Sequence, residues 1–184
     1  QTSDIISENL INTSGLAVDV PYIITPTANG CTGPSFNYVV TVNAVPVLTS
    51  AATDSICNGI SPNYTIAFNI AGTSFSWSRA AVPGISNAAI SGQTSGTIRE
   101  VLTNITNSPI DVTYVFTSSA GNCAGAPYSY VVTVNPTAYI TYAPPDIICS
   151  EETLNHVIVP AIPLASFTWA RPAVANISNA AVTG

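Results

Sequence analysis

At 184 residues, with 47% apolar and only 7% charged residues and a net charge of −6, the chain has a polar complement of Ser, Thr, Asn and Gly rather than of ions. It has no Lys, and its cations are Arg79, Arg99 and Arg171, too few to neutralise nucleic-acid phosphates or to hold an anionic bilayer face. No apolar run approaches the ~18 residues of a transmembrane helix, so neither nucleic-acid binding nor membrane insertion is expected. Val and Ile are frequent, and the 14 Pro and 11 Gly recur as punctuation, a mixture that favours strands and turns over helices.

Taken in chain order from the Pro-punctuated junction at Pro46 to the next at Pro136, alternating or β-branched runs predict strands at Val47–Ala52, Tyr64–Asn69 and Ser74–Arg79. A weak strand near Ala88–Ser91 follows, then Thr97–Thr103, Val112–Thr117 and Tyr128–Asn135. Turn signals separate them: CNG, AGT, PG, SGQTSG, NSP and GNCAG. Six or seven short strands in about 90 residues predict an antiparallel β-sandwich of immunoglobulin-like type. Trp77 falls mid-strand, where it would fill the space between two sheets. Tyr114 opens a late strand, where its hydroxyl would bond back to the preceding loop.

The strongest signal is an internal repeat. SFSWSRAAVPGISNAAISG at 74–92 returns as SFTWARPAVANISNAAVTG at 166–184, YVVTVN at 38–43 returns at 130–135, and the opening QTS returns at 93–95. Cys31 maps to Cys123 and Cys57 to Cys149 at the same offset of 92, and the two periods align without a gap at about 40 identical positions of 92. Tyr22 and Trp169 repeat Tyr114 and Trp77, so all four are expected in cores rather than as sugar-stacking platforms. The strand phase predicts residues 1–43 as the C-terminal half of one unit, 44–135 as a complete unit and 136–184 as the N-terminal half of another. The cut in mid-phase suggests an excerpt of a longer array or, alternatively, subunits whose end halves complete each other head to tail. The short junctions NAVPV and NPTAY predict a semi-rigid rod.

Four fragments, DSICNG, FSWSR, TNITNSPIDVTYVFT and GNCAGAPYSYVVTVNP, resemble the PKD-like and immunoglobulin-like repeats of giant Bacteroidota surface proteins. That group includes gliding-motility adhesins and other large cargo of type IX secretion. The WDFGDG hallmark of PKD domains is missing, because Trp77 is followed by Ser-Arg-Ala. The resemblance implies an extended extracellular, cell-surface stalk or adhesin. It supplies no catalytic residue.

The residues themselves offer little chemistry. The nearest two cysteines are 26 residues apart and His156 is the one histidine, so no zinc spacing occurs and no base stands ready to activate a serine. The carboxylates form no calcium loop, and no cofactor or metal is expected. Two cysteines per period in a lysine-free chain point to an oxidising compartment and to disulfides. A Cys57–Cys123 bridge within residues 44–135 is the expectation, leaving Cys31 and Cys149 with partners outside this sequence. It requires both cysteines at one end of the sandwich; an odd extra strand would separate them, and the cysteines would then staple neighbouring units. Asn12, Asn63, Asn104 and Asn176 begin N-x-[ST] sequons, and Asp54-Ser55-Ile56 looks like the short O-glycosylation signal of Bacteroidota, making Ser55 a candidate.

The sequence thus predicts a non-enzymatic structural or adhesive repeat of a stalk, fibre or filament. Its partners would be neighbouring repeats, other copies in a fibre, and a surface polysaccharide or host or substratum ligand at a distal tip. The alternatives are a glycan-binding module, marked by exposed aromatics recurring at the 92 offset, and an accessory domain of a large secreted enzyme.

Overall fold

A computed structural model describes residues 4–141, 144–163 and 165–184, so the first copy of the QTS repeat lies outside the described residues. Fourteen strands and no helix occur among them. In order these are β1 Val18–Ile24, β2 Thr27–Ala28, β3 Cys31–Thr32, β4 Phe36–Val42, β5 Thr53–Cys57, β6 Tyr64–Thr65 and β7 Ser74–Arg79. The second seven are β8 Ile90–Gln93, β9 Thr97–Ile98, β10 Ile110–Ala120, β11 Cys123–Ala124, β12 Tyr128–Asn135, β13 Ala170–Arg171 and β14 Val182–Thr183. The expected all-β sandwich is found.

One layer is a six-stranded sheet of order β5-β12-β10-β7-β8, with β11 folded back on β10. The other layer pairs β6 with β9, extended by an antiparallel bridge between Leu48 and Phe68 and by Thr49 N–H donating to Ala67 O at 2.8 Å. The expected strands at 47–52 and 64–69 are therefore present mostly as this looser edge pairing. Along β10 burial alternates strictly: Val112, Tyr114, Phe116 and Ser118 point inward and the residues between them outward. β12 does the same with Tyr130, Val132 and Val134. A period of two on neighbouring strands builds one continuous apolar face. Tyr64 of the opposite layer stacks on Tyr130 at 3.7 Å between ring centroids, and Ile98 and Leu102 close the core. Truncating one of these fully buried aliphatic side chains to Ala is of the kind that costs roughly 2–5 kcal/mol.

β5 has no counterpart among the strands predicted from the sequence. It lies parallel to β12, with Thr53 opposite Val131 and Cys57 opposite Asn135. The chain therefore arrives beside the start of β12, where Tyr128 Oη donates to Pro46 O at 3.4 Å, and leaves at its far end, where Asn58 Nδ2 donates to Thr137 Oγ1 at 3.0 Å. The two ends of the unit are an arrival end and a departure end.

This topology corrects the disulfide expectation. Cys57 sits at the departure end beside Asn135, whereas Cys123 is paired with Ala120 in the β10–β11 hairpin at the arrival end. The length of β10 separates them by roughly 30 Å at ~3.4 Å per residue, far beyond the ~7 Å between Cα atoms that a disulfide spans. Five strands, β6 to β10, run between the two cysteines, and β8, the strand expected to be weak near Ala88–Ser91, is the extra traverse that separates them.

The flanking segments reuse the same local structure. All seven β1–β4 pairs, from Val18↔Val42 to Ile24↔Phe36, recur 92 residues on in the β10–β12 register, from Ile110↔Val134 to Phe116↔Tyr128. Thr41 donates to Asp19 at 2.7 Å as Thr133 does to Asp111 at 2.6 Å. Asn12 Nδ2 donates to Val42 O at 2.7 Å as Asn104 Nδ2 does to Val134 O at 2.8 Å.

Candidate functional site

Strand β7 alternates so that Trp77 and Arg79 face the core, and the fully buried Arg79 side chain is the unit's most unexpected member. A guanidinium out of water must have all its donors met. Arg79 Nε donates to Glu100 Oε2 at 2.9 Å and Nη2 to Glu100 Oε1 at 2.6 Å, a bidentate pair. Nη1 donates to Ala80 O at 2.9 Å and Nη2 also to Ala88 O at 2.6 Å. Glu100 is completed by Tyr114 Oη at 2.9 Å and Asn87 Nδ2 at 3.2 Å. The ring of Trp77 meets that of Tyr114 nearly edge-on, 5.6 Å between centroids, while its Nε1–H donates to Ser95 O at 3.1 Å. Two strands and two loops are thus tied by one charge-assisted cluster, which is strong because each bond is to an ion and directional.

The electrostatics follow the geometry. Burial, reinforced by the hydrogen bond to Glu100, pushes the Tyr114 hydroxyl well above its ordinary value. The hydrogen bond to Glu100 holds the Arg79 guanidinium above its usual range against the opposing effect of burial. Tyr130 is raised chiefly by burial and secondarily by Asp54, whose Oδ2 it faces at 3.2 Å.

The cluster recurs in two open pieces. Tyr22 Oη donates to Glu8 Oε2 at 2.7 Å, the counterpart of Tyr114 and Glu100, and this bond raises the Tyr22 pKa. Arg171, the counterpart of Arg79, donates to Pro172 O at 3.2 Å and to Ala180 O, as Arg79 does to Ala80 and Ala88. Trp77 and Tyr114 lie in the core at 5% and 0% exposure. Tyr22 is half-buried, its ring 6.5 Å from that of Tyr38, and Trp169 is 51% exposed. Among the described residues Trp169 is thus not in a core: the adjoining β13 pairs with the short β14 alone, and no second layer covers the ring. The hydroxyl of Tyr114 does bond back to the preceding loop, where it reaches the Glu100 carboxylate.

Other singled-out residues fall as follows. Ser55 lies on the exposed edge strand β5, its Oγ accepting from Asn135 Nδ2 at 2.9 Å. Asn104 is buried and its amide also donates to Ser108 O at 2.8 Å, so this sequon is a loop bracket rather than a glycan acceptor. His156 Nδ1 stands 2.6 Å from Asp146 Oδ2 at the surface. Cys31, Cys57 and Cys149 are exposed and Cys123 half-buried. No group of three or more His, Cys, Asp or Glu converges among the described residues.

Both ends of the unit are fastened to their junctions. At the departure end Asn107 Nδ2 donates to Tyr139 Oη at 3.3 Å, beside the Asn58–Thr137 bond. At the arrival end Gly125 packs so closely on the linker that an added Cβ would lie 2.8 Å from Pro46 O and would also meet Ser118 Oγ. Sequence reasoning missed Arg79, although a signal was present: Arg79 and Arg171, Glu8 and Glu100, and Tyr22 and Tyr114 all recur at one offset in a charge-poor chain.

A family model described as PKD-like domain matches residues 1–46 and 54–138. No curated protein matches the chain.

Proposed function

The chain belongs to the PKD-like domain family, and from that premise we propose that it is a segment of an extracellular stalk or fibre built from end-to-end copies of the 44–135 unit. Residues 1–43 and 136–184 are then the covering and base halves of two further units. The observation that carries this reading is the opposite placement of the two junctions, each fastened to the unit it leaves. Units of that kind add along one axis. The role is structural and adhesive: neighbouring repeats are the immediate partners, and a polysaccharide or host or substratum ligand is met at a distal tip. The sequence resemblance further supports a Bacteroidota cell-surface adhesin exported by type IX secretion. Burial of Trp77 and Tyr114 counts against a glycan-binding module, since the recurring aromatics of the unit offer no platform.

Small-angle scattering of the reduced, dilute 184-residue chain tests this. Three axial lengths of roughly 35 Å each give a particle about 100 Å long. A compact globule of this size, with a radius of gyration near ~16 Å, overturns the stalk.

A further inference from the structure

We infer that the Asn-bracketed loop at the departure end of each unit is a docking surface for the repeat that follows, and that it fixes successive units in one relative orientation. The inference rests on the unit boundaries proposed above. The two joints it concerns, at 43–46 and 136–138, both lie inside the sequence.

The loop is built in the same way twice. Asn104 Nδ2 donates to Ser108 O and to Val134 O, both at 2.8 Å, and Asn12 Nδ2 donates to Leu16 O and to Val42 O, both at 2.7 Å. The Thr106 N–H donates to Asn104 Oδ1 at 2.8 Å, as the Ser14 N–H does to Asn12 Oδ1 at 2.9 Å. Each amide therefore closes its own loop and pins it to the unit's last strand, β12 or β4. Those strands run straight on into the joints, so loop and outgoing chain move as one body.

What the loop meets also recurs. In each following unit the first rung of backbone pairing stands at the joint: the Asn69 N–H donates to Val47 O at 3.0 Å, and at the offset of 92 the Ala161 N–H donates to Tyr139 O at 3.1 Å. The fourth residue of each loop faces that rung. A Cβ added at Gly15 would lie 3.5 Å from Asn69 O, an ordinary contact distance, and its counterpart Asn107 donates from Nδ2 to Tyr139 Oη at 3.3 Å. The first joint is closed by a bare backbone and the second by an amide–phenol pair, so one geometry is filled by two chemistries. The partner this surface fits is the first rung of a following repeat, and the residues at 15 and 107 select which rung it accepts. Short linkers bearing Pro46 and Pro136, with φ locked by the ring, leave little swivel beneath a seated loop. The angle at one joint is then repeated at the next.

Backbone N–H residual dipolar couplings of the ¹⁵N-labelled, reduced 184-residue chain test the joints. Couplings from β1 and β4, from β10 and β12, and from Tyr139 and Ala161 should fit one alignment tensor of one magnitude. Asn107→Ala, which leaves the loop bracket intact, should lower the magnitude at Tyr139 and Ala161 while β1 and β4 stay with the central unit. Asn12→Ala should do the reverse, with cross-strand contacts between β1 and β4 showing that the hairpin survives. Gly15→Trp, which crowds Asn69 without touching the bracket, should loosen the first joint in the same way and tests it even where Asn12→Ala loses the hairpin. Separate tensors in the unaltered chain, or one tensor that persists in both Asn107→Ala and Gly15→Trp, overturn the fixed joint. Separate tensors in a particle that scattering finds elongated leave the stalk standing without this inference. A single tensor in a compact globule overturns the stalk and leaves the seat.

Discussion

The central unit and the N-terminal segment contain the same hairpin, yet only one of them has an interior. Strands β1 and β4 hold the register of β10 and β12 pair for pair, with the same Asn bracket and the same Thr–Asp bond. What differs is everything that must come from the other half of a sandwich. Tyr114 is sealed beneath Trp77 and Arg79, while Tyr22 makes the matching carboxylate bond half in solvent. Backbone pairing is a local property of the 25-residue hairpin sequence from Val18 to Val42, and burial is not. The comparison separates what a strand pair achieves by itself from what needs a second layer.

The largest break in that comparison comes from Arg79→Ala. It strands Glu100 in a pocket shaped for a cation, and removing one partner of a buried ion pair costs about 3–5 kcal/mol. Urea denaturation followed by Trp77 emission should show that loss, while Arg171→Ala, acting on an open surface, leaves the central transition in place. Equal effects from the two would mean that Arg79 is not held as described. A smaller break is Tyr114→Phe, which removes one hydrogen bond to a charged group and should cost roughly 1.5–3 kcal/mol. Its counterpart Tyr22→Phe, which removes a bond on a solvent-facing pair, should have a much smaller effect than Tyr114→Phe. The comparison fails if Tyr22→Phe proves the costlier.

The mildest probe is alkali. Tyr114 and Tyr130 have pKa values raised above the ordinary 10.0 by burial, so they stay protonated in the fold after the unfolded chain's tyrosines ionise. The folded state then binds more protons, and stability falls as pH rises. Stability should therefore be level with respect to these groups below about pH 9 and decline above pH 10, the unfolded value. Tyr114→Phe should flatten the decline in a pH series of denaturation midpoints.

Much of this architecture was legible in the sequence because it is periodic. Strands β7, β10 and β12 alternate apolar and polar residues over six to eleven positions, and the repeat placed their counterparts. Strand β5 was illegible because Thr53-Asp54-Ser55 is polar on both faces of an exposed edge, and its pairing is with a strand some 78 residues away in the chain. Cys57 and Cys123 were placed together for a different reason: the short strand β8 between them is a full traverse, and its four residues give only a weak alternation in sequence. Arg79 reads as the polar end of a strand because the residue that makes its burial tolerable, Glu100, lies across two loops. Such non-local compensation leaves no local pattern. Only the coincidence of Arg, Glu and Tyr at one offset hinted at it.

The parallel alignment of β5 with β12 has a mechanical consequence. Tension on a tether pulls the incoming chain towards the arrival end and the outgoing chain towards the departure end. Thr53–Cys57 and Val131–Asn135 are then drawn past each other along their length. Their hydrogen bonds lie across that direction and share the load together instead of opening one after another as in a zipper. The edge strand that the sequence concealed is the shear clamp of the unit.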